Sequence, residues 1–145
     1  MATKVSEVMT RAVDVISPEA TLDEAAERMK RLDVGPLPVC DGDRLLGMIT
    51  DRDITVRATA ESRDPTMTRV SEVMTPEVVF TYEDEDVKNA AQLMQDHQLR
   101  RLVVLNRDKK LVGIVSLGDL AVETKDDKLK GQVLEDVSKP AEPQR

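Results

Sequence analysis

Six residues occur twice in the same order: Val5-Ser6-Glu7-Val8-Met9-Thr10 returns unchanged as Val70-Ser71-Glu72-Val73-Met74-Thr75, an offset of 65. This constrains the fold more than any composition does, because a repeated unit implies one architecture built twice. At the same offset Leu22, Ala25, Ala26 and Met29 correspond to Val87, Ala90, Ala91 and Met94. One extra residue in the second turn makes the offset 66, and Leu46-Gly47-Met48-Ile49-Thr50 with Asp53 then answers Val112-Gly113-Ile114-Val115-Ser116 with Asp119. A chain of 145 residues holds two such units and no series of independent domains.

Each unit reads as strand, helix, strand, strand, helix. Val13, Val15 and Ile16 suggest a short strand, which Ser17-Pro18 ends. Thr21 offers a cap for a helix whose Leu22, Ala25, Ala26, Met29 and Leu32 fall on one face, at steps of three and four. Leu37 to Cys40 and Leu45 to Ile49 flank the turn Asp41-Gly42-Asp43 as a hairpin, and a second helix starts near Asp51. The second unit repeats the order over Val78 to Thr81, Asp86 to His97, Leu102 to Leu105, Leu111 to Val115, and a helix from about Leu117. Residues 57–69 contain few apolar positions and read as a surface connection, so the repeats divide as 5–62 and 70–124 with a linker at 63–69. A short helix or extension is expected over 125–138, and a disordered tail over 139–145.

Composition excludes several function classes. The 21 basic and 28 acidic residues give a net charge of −7, the reverse of a nucleic-acid-binding footprint. Phe80 and Tyr82 are the only aromatic residues, which leaves almost nothing for bases to stack on. With one cysteine, Cys40, and one histidine, His97, the chain has no set for a Cys/His metal cluster. No apolar run reaches membrane-spanning length and the start lacks a signal-peptide core, so a cytoplasmic location is expected. Cys40 and Met29 and Met94 read as core fillers, and His97 as a helix-end residue. The acidic run Glu83-Asp84-Glu85-Asp86 reads as the start of a helix.

The informative stretches are Gly47-Met48-Ile49-Thr50-Asp51-Arg52-Asp53 and Gly113-Ile114-Val115-Ser116-Leu117-Gly118-Asp119. In each, a hydroxyl residue leaves a strand and a carboxylate follows three positions on. One reading is a capping box, in which hydroxyl and carboxylate satisfy the backbone of the next helix. The other is a ribose site, in which the carboxylate accepts both sugar hydroxyls beside a helix start that favours phosphate.

The repeated opening Val-Ser-Glu-Val-Met-Thr and this closing pattern together resemble the tandem CBS domain family over residues 5 to about 123. The resemblance implies an α+β fold of two β-α-β-β-α repeats, packed sheet to sheet with pseudo-twofold symmetry. It also implies clefts that bind an adenosine-containing nucleotide of the AMP, ADP or ATP class. Carried over residue by residue, one site takes Asp119 for the ribose, Ser116 and Thr10 for ribose or phosphate, Val15, Ile16 and Val34 for adenine, and Arg100 and Arg101 for phosphate. A second site takes Asp53, Thr50 and Thr75, with Phe80 and Leu99 as apolar walls. The second departs from the pattern, because Gly35-Pro36 stands where the first has Arg100-Arg101. It is expected to be weaker, emptier or selective for a less charged ligand, with Arg52 as a substitute cation or an ion-pair partner of Asp51 and Asp53.

The function expected is therefore that of a non-enzymatic, stand-alone regulatory or energy-sensing module. Its expected ligand is an adenine nucleotide acting as regulator, with no required cofactor or metal. Its partners would be a second copy in a homodimer and a regulated protein, with neither nucleic acid nor membrane involved. The alternative is a dimerisation or protein-interaction module with vestigial clefts. An enzyme ranks last: no nucleophile has an identifiable base, and there is no Walker-type phosphate loop.

Overall fold

Why the helices form where the apolar steps predict is visible in what each one buries. The computed structural model describes residues 3–123 and divides the chain into two units: a continuous one, Asp14–Val78, and a split one, Met1–Val13 with Val79–Arg145. The expected C-terminal extension and tail lie outside the described residues.

In the continuous unit α1 (Leu22–Leu32) starts at Thr21, whose N–H donates to the Glu24 carboxylate over 3.3 Å. It ends at Asp33, which takes the left-handed conformation at φ 55°. Leu22, Ala25 and Met29 are its buried residues and pack with Leu37, Val39 and Ile49. Those partners come from the antiparallel pair β1 (Pro36–Asp41) and β2 (Arg44–Thr50), joined through Gly42 at φ 64°. Glycine suits that turn, because an L side chain is strained at positive φ.

The strand expected around Val13 to Ile16 shrinks to one parallel bridge, Ile16 to Val39, with Ile16 N–H on Pro38 O and Cys40 N–H on Ile16 O, each over 3.0 Å. The neighbouring Val15 carbonyl accepts from the Arg28 guanidinium of α1. The helix after β2 is also less regular than expected. It begins as α2 (Asp51–Asp53), widens into a π turn over Ile54–Ala58, and tightens to a 3-10 turn over Thr59–Glu61. The stretch read as a surface linker is thus helical as far as Glu61, and it buries Ala58 and Thr68. Thr68 is held by its hydroxyl on Asp64 O and by its carbonyl, which accepts from Leu22 N–H.

The second copy of the repeated hexapeptide opens as α3 (Val70–Val73), and it finishes this unit rather than beginning the next. Val70 and Val73 enter the same core as Leu22 and Ile49. Thr75 bridges β2 through two 2.8 Å bonds with Met48.

The split unit repeats this plan. Its sheet runs β3 (Phe80–Tyr82), β4 (Arg101–Leu105), β5 (Leu111–Ser116), with β3 parallel and β5 antiparallel to β4. Between β3 and β4 lies α4 (Val87–His97), capped by the Asp86 carboxylate on Lys88 N–H over 2.9 Å, with His97 exposed at its end. After β5 comes α5 (Leu117–Glu123). Val87, Ala90, Ala91 and Met94 pack on Leu102, Val104 and Val115, joined by Val5 from the first hexapeptide. Thr10 bridges β5 by bonds of 2.8 and 2.9 Å with Ile114. The molecule is thus α+β with two sheets, each completed by a hexapeptide from the far end of its unit.

Glycine permits those completions. A methyl group on Gly47 would lie 2.6 Å from the Thr75 carbonyl oxygen, and one on Gly113 would lie 2.9 Å from that of Thr10 and 2.7 Å from Met9 Sδ. Met74 and Met9 lie over these glycines, with Met74 Sδ 3.2 Å and Met9 Sδ 2.7 Å from the methyl positions.

Candidate functional site

The end of β5 and the start of α5 place a hydroxyl and a carboxylate in reciprocal contact. Asp119 N–H donates to Ser116 Oγ over 3.0 Å, and Ser116 N–H donates to Asp119 Oδ2 over 2.8 Å. The same exchange occurs after β2, with 3.0 Å from Asp53 N–H to Thr50 Oγ1 and 3.0 Å from Thr50 N–H to Asp53 Oδ2. Both motifs are capping boxes. The box uses one carboxylate oxygen, and a carboxylate offers about four lone-pair sites, so capping leaves room for a second task.

Around Asp119 the split unit gathers the polar half of the first site. Arg101 opens β4 directly across from Ser116 in the β4–β5 register. The Arg100 carbonyl accepts from Leu117 N–H over 2.8 Å, which holds the start of β4 against the start of α5. Arg100, Arg101 and Thr10 are exposed, whereas Ser116 and Asp119 are half-buried. Among the described residues neither Asp119 Oδ1 nor the Thr10 hydroxyl has a hydrogen-bond partner. The set therefore combines an acceptor with unused capacity, two hydroxyls and two guanidiniums. These are groups that suit a vicinal diol and an anion, because planar guanidinium forks match phosphate oxygens.

The polar half of the second site forms within the continuous unit from Thr50, Asp53 and Thr75, whose hydroxyl lies 3.5 Å from Asp53 Oδ1. Pro36 pairs with Thr50 as Arg101 pairs with Ser116, so the substitution of Gly35-Pro36 for Arg100-Arg101 holds in register as well as in sequence. One residue escaped the sequence reading. Arg57, at the start of the stretch read as a surface connection, has Nε 3.8 Å from Asp53 Oδ1 and donates from Nη1 to Val73 O at 3.3 Å and Met74 O at 3.4 Å. Its position four residues after Asp53, one helical turn on, is the signal that would have found it. The Arg52 N–H donates to Asp51 Oδ1 over 2.9 Å.

The apolar residues named for each site fall in the opposite unit from its polar residues. Val15, Ile16 and Val34 belong to the continuous unit, where Ile16 is 2% exposed within the core and Val34 packs against that core. Phe80 and Leu99 belong to the split unit, Phe80 meeting Tyr82 edge to face at 5.3 Å and Leu99 packing on the core. No group of three or more His, Cys, Asp or Glu residues among the described ones is placed to hold a metal ion. No described helix is long and apolar enough to cross a membrane.

This duplicated geometry has counterparts among known proteins. The CBS domain model matches residues 5–58 and 70–131. "CBS domain-containing protein YhcV" of Bacillus subtilis (strain 168) is 45% identical over 134 residues, covering 92% of this chain and 94% of that protein. Among solved structures, Hypoxic Response Protein I with two coordinated zinc ions matches with a TM-score of 0.76 at 33% identity, covering 84% of this chain and 99% of that one. CBSX2 in complex with AMP matches with a TM-score of 0.72 at 26% identity, covering 86% and 98%. With its hexapeptide, hairpin and closing aspartate each built twice, and with relatives that share this plan along nearly their whole length, the chain belongs to the CBS domain family, of which it carries two copies.

Proposed function

We propose that this protein is a non-catalytic regulatory module that binds an adenosine-containing nucleotide of the AMP, ADP or ATP class at the Asp119 end of the split unit. The observation that carries the reading is the state of Asp119. One oxygen is held by the Ser116 backbone and the other has no described partner, within a unit that also exposes Arg100 and Arg101 beside Ser116. A ribose diol donates two hydrogen bonds to such a carboxylate, and the arginines take the phosphate. A relative solved with AMP supports the ligand class. Ligand binding regulates only through a difference in affinity between two arrangements of the protein, so the regulated step lies in whatever binds one arrangement better. A homodimer acting on a protein partner in the cytoplasm completes the proposal.

Calorimetric titration with adenosine, AMP, ADP and ATP tests it. Saturable binding is expected. Arg101→Ala should weaken AMP by about 10-fold or more, the scale of a charge-assisted hydrogen bond, and should spare adenosine. Asp119→Ala should weaken both. Absence of binding by all four, with an intact dimer by light scattering, would hand the function to an interaction module.

A further inference from the structure

The two closing motifs share one backbone but differ in the charges set around it. In the continuous unit Asp53 Oδ2 is bound to Thr50 N–H, and Oδ1 faces the Arg57 guanidinium at 3.8 Å and the Thr75 hydroxyl at 3.5 Å. Arg57 is also held at its far side by the carbonyls of Val73 and Met74, so it bridges the motif and the end of α3. The Asp53 side chain is 12% exposed and that of Arg57 52%. In the split unit Asp119 Oδ1 and the Thr10 hydroxyl have no such partners among the described residues.

A second difference lies at the strand opening. Asp51 N–H donates to Gly35 O over 3.1 Å, as Leu117 N–H donates to Arg100 O. Asp51 therefore replaces Leu117, and its carboxylate oxygens lie 3.2 and 3.4 Å from where a side chain on Gly35 would begin. Where the split unit offers two guanidiniums, the continuous unit offers a carboxylate.

We infer that Arg57 is a built-in counter-ion that occupies the ligand-accepting side of Asp53, so that the chain binds one nucleotide, at Asp119, and the Asp53 motif is closed to phosphorylated nucleosides. The inference rests on the reading that Asp119 accepts a ribose. Guanidinium N–H groups and diol hydroxyls are both donors and compete for the same carboxylate oxygen. A half-exposed ion pair of this kind holds a competitor off by about fivefold. The Asp51 carboxylate, with no arginine at the strand opening, repels phosphate whether or not Arg57 is there. Removal of Arg57 thus opens the Asp53 motif to an uncharged nucleoside and not to AMP.

The test is titration of AMP and adenosine into the wild type, Arg57→Met and Arg57→Gln, each prepared both alone and with Asp119→Ala to silence the first site, with thermal melts to confirm folding. Wild type should bind one AMP per chain. With Asp119 intact the Arg57 variants should keep that stoichiometry for AMP, and with Asp119→Ala they should gain an adenosine site about fivefold tighter than any that remains in Asp119→Ala alone. Raising salt on Asp119→Ala should move adenosine affinity in the same direction by screening the pair. Two AMP per wild-type chain, unchanged adenosine binding in the variants, or weaker adenosine binding there would each overturn the role of Arg57. If wild type binds no AMP yet the variants bind adenosine, the Asp119 reading falls and the role of Arg57 stands. If neither protein binds either ligand, both fall.

Discussion

At the scale of single residues, the structure turns small differences into measurable ones. Burial, reinforced by Asp43, pushes the Cys40 thiol up to about 11. A thiol held protonated is a poor nucleophile. Cys40 should resist iodoacetamide at pH 8 in the folded protein and react once it is denatured; rapid alkylation of the native chain would contradict its placement. The linkage has a definite sign. Below the ordinary thiol range both states hold the proton and the contribution is fully present, whereas above it the unfolded chain releases the proton more readily. Urea midpoints should therefore fall as pH rises through that range towards about 11, and Cys40→Ala should flatten that part of the profile. Gly47→Ala makes a second residue-scale prediction. The added methyl meets the Thr75 backbone carbonyl, which cannot swing aside as a side chain can, so stability should drop by about 1–3 kcal/mol in chemical denaturation.

At the scale of elements, the capping boxes separate two roles that one aspartate performs. Asp119→Asn keeps an oxygen able to accept from Ser116 N–H, so α5 should stay capped and the melting temperature should change little. The amide puts a donor where a diol needs an acceptor, and nucleotide affinity should fall by about 10-fold or more. Parallel loss of stability and affinity would show that Asp119 serves only the helix. The end of α1 carries another test. Asp33 adopts φ 55°, a conformation that glycine takes without steric penalty. Asp33→Gly should stabilise the continuous unit by about 0.5 kcal/mol. Elements of this kind were legible from sequence. The helix of Leu22, Ala25 and Met29 and the hairpin around Gly42 depend on local periodicity and turn chemistry. The strand expected at Val13 to Ile16 was not legible as a single bridge, because the extent of pairing is set by how the segment meets β1, where only Ile16 pairs, with Val39. The role of Arg57 was missed for a related reason. A stretch poor in apolar residues reads as a linker until its helical register with Asp53 is noticed.

At the scale of the whole molecule, the sequence repeats and the compact units are cut differently. Val5 and Thr10 serve the sheet of β3, β4 and β5, while Val70 and Thr75 serve that of β1 and β2. A fragment of residues 1–64 contains one sequence repeat but lacks Val70, Val73 and the Thr75 bridge. It should remain unfolded by circular dichroism and recover structure only when 65–145 is added. A fragment that folds alone would show that the second hexapeptide is dispensable to the continuous unit. Deleting residues 1–13 should likewise remove Val5 from the core of the split unit and abolish nucleotide binding together with Thr10. By itself the sequence determined that there are two units, the order of elements in each, and the pair of closing motifs, because these rest on identity, periodicity and spacing within short windows. Which hexapeptide completes which sheet was decided by tertiary structure alone. The two copies are chemically identical, so no local preference distinguishes them, and only the packing of distant segments, admitted by Gly47 and Gly113, assigns each to its sheet.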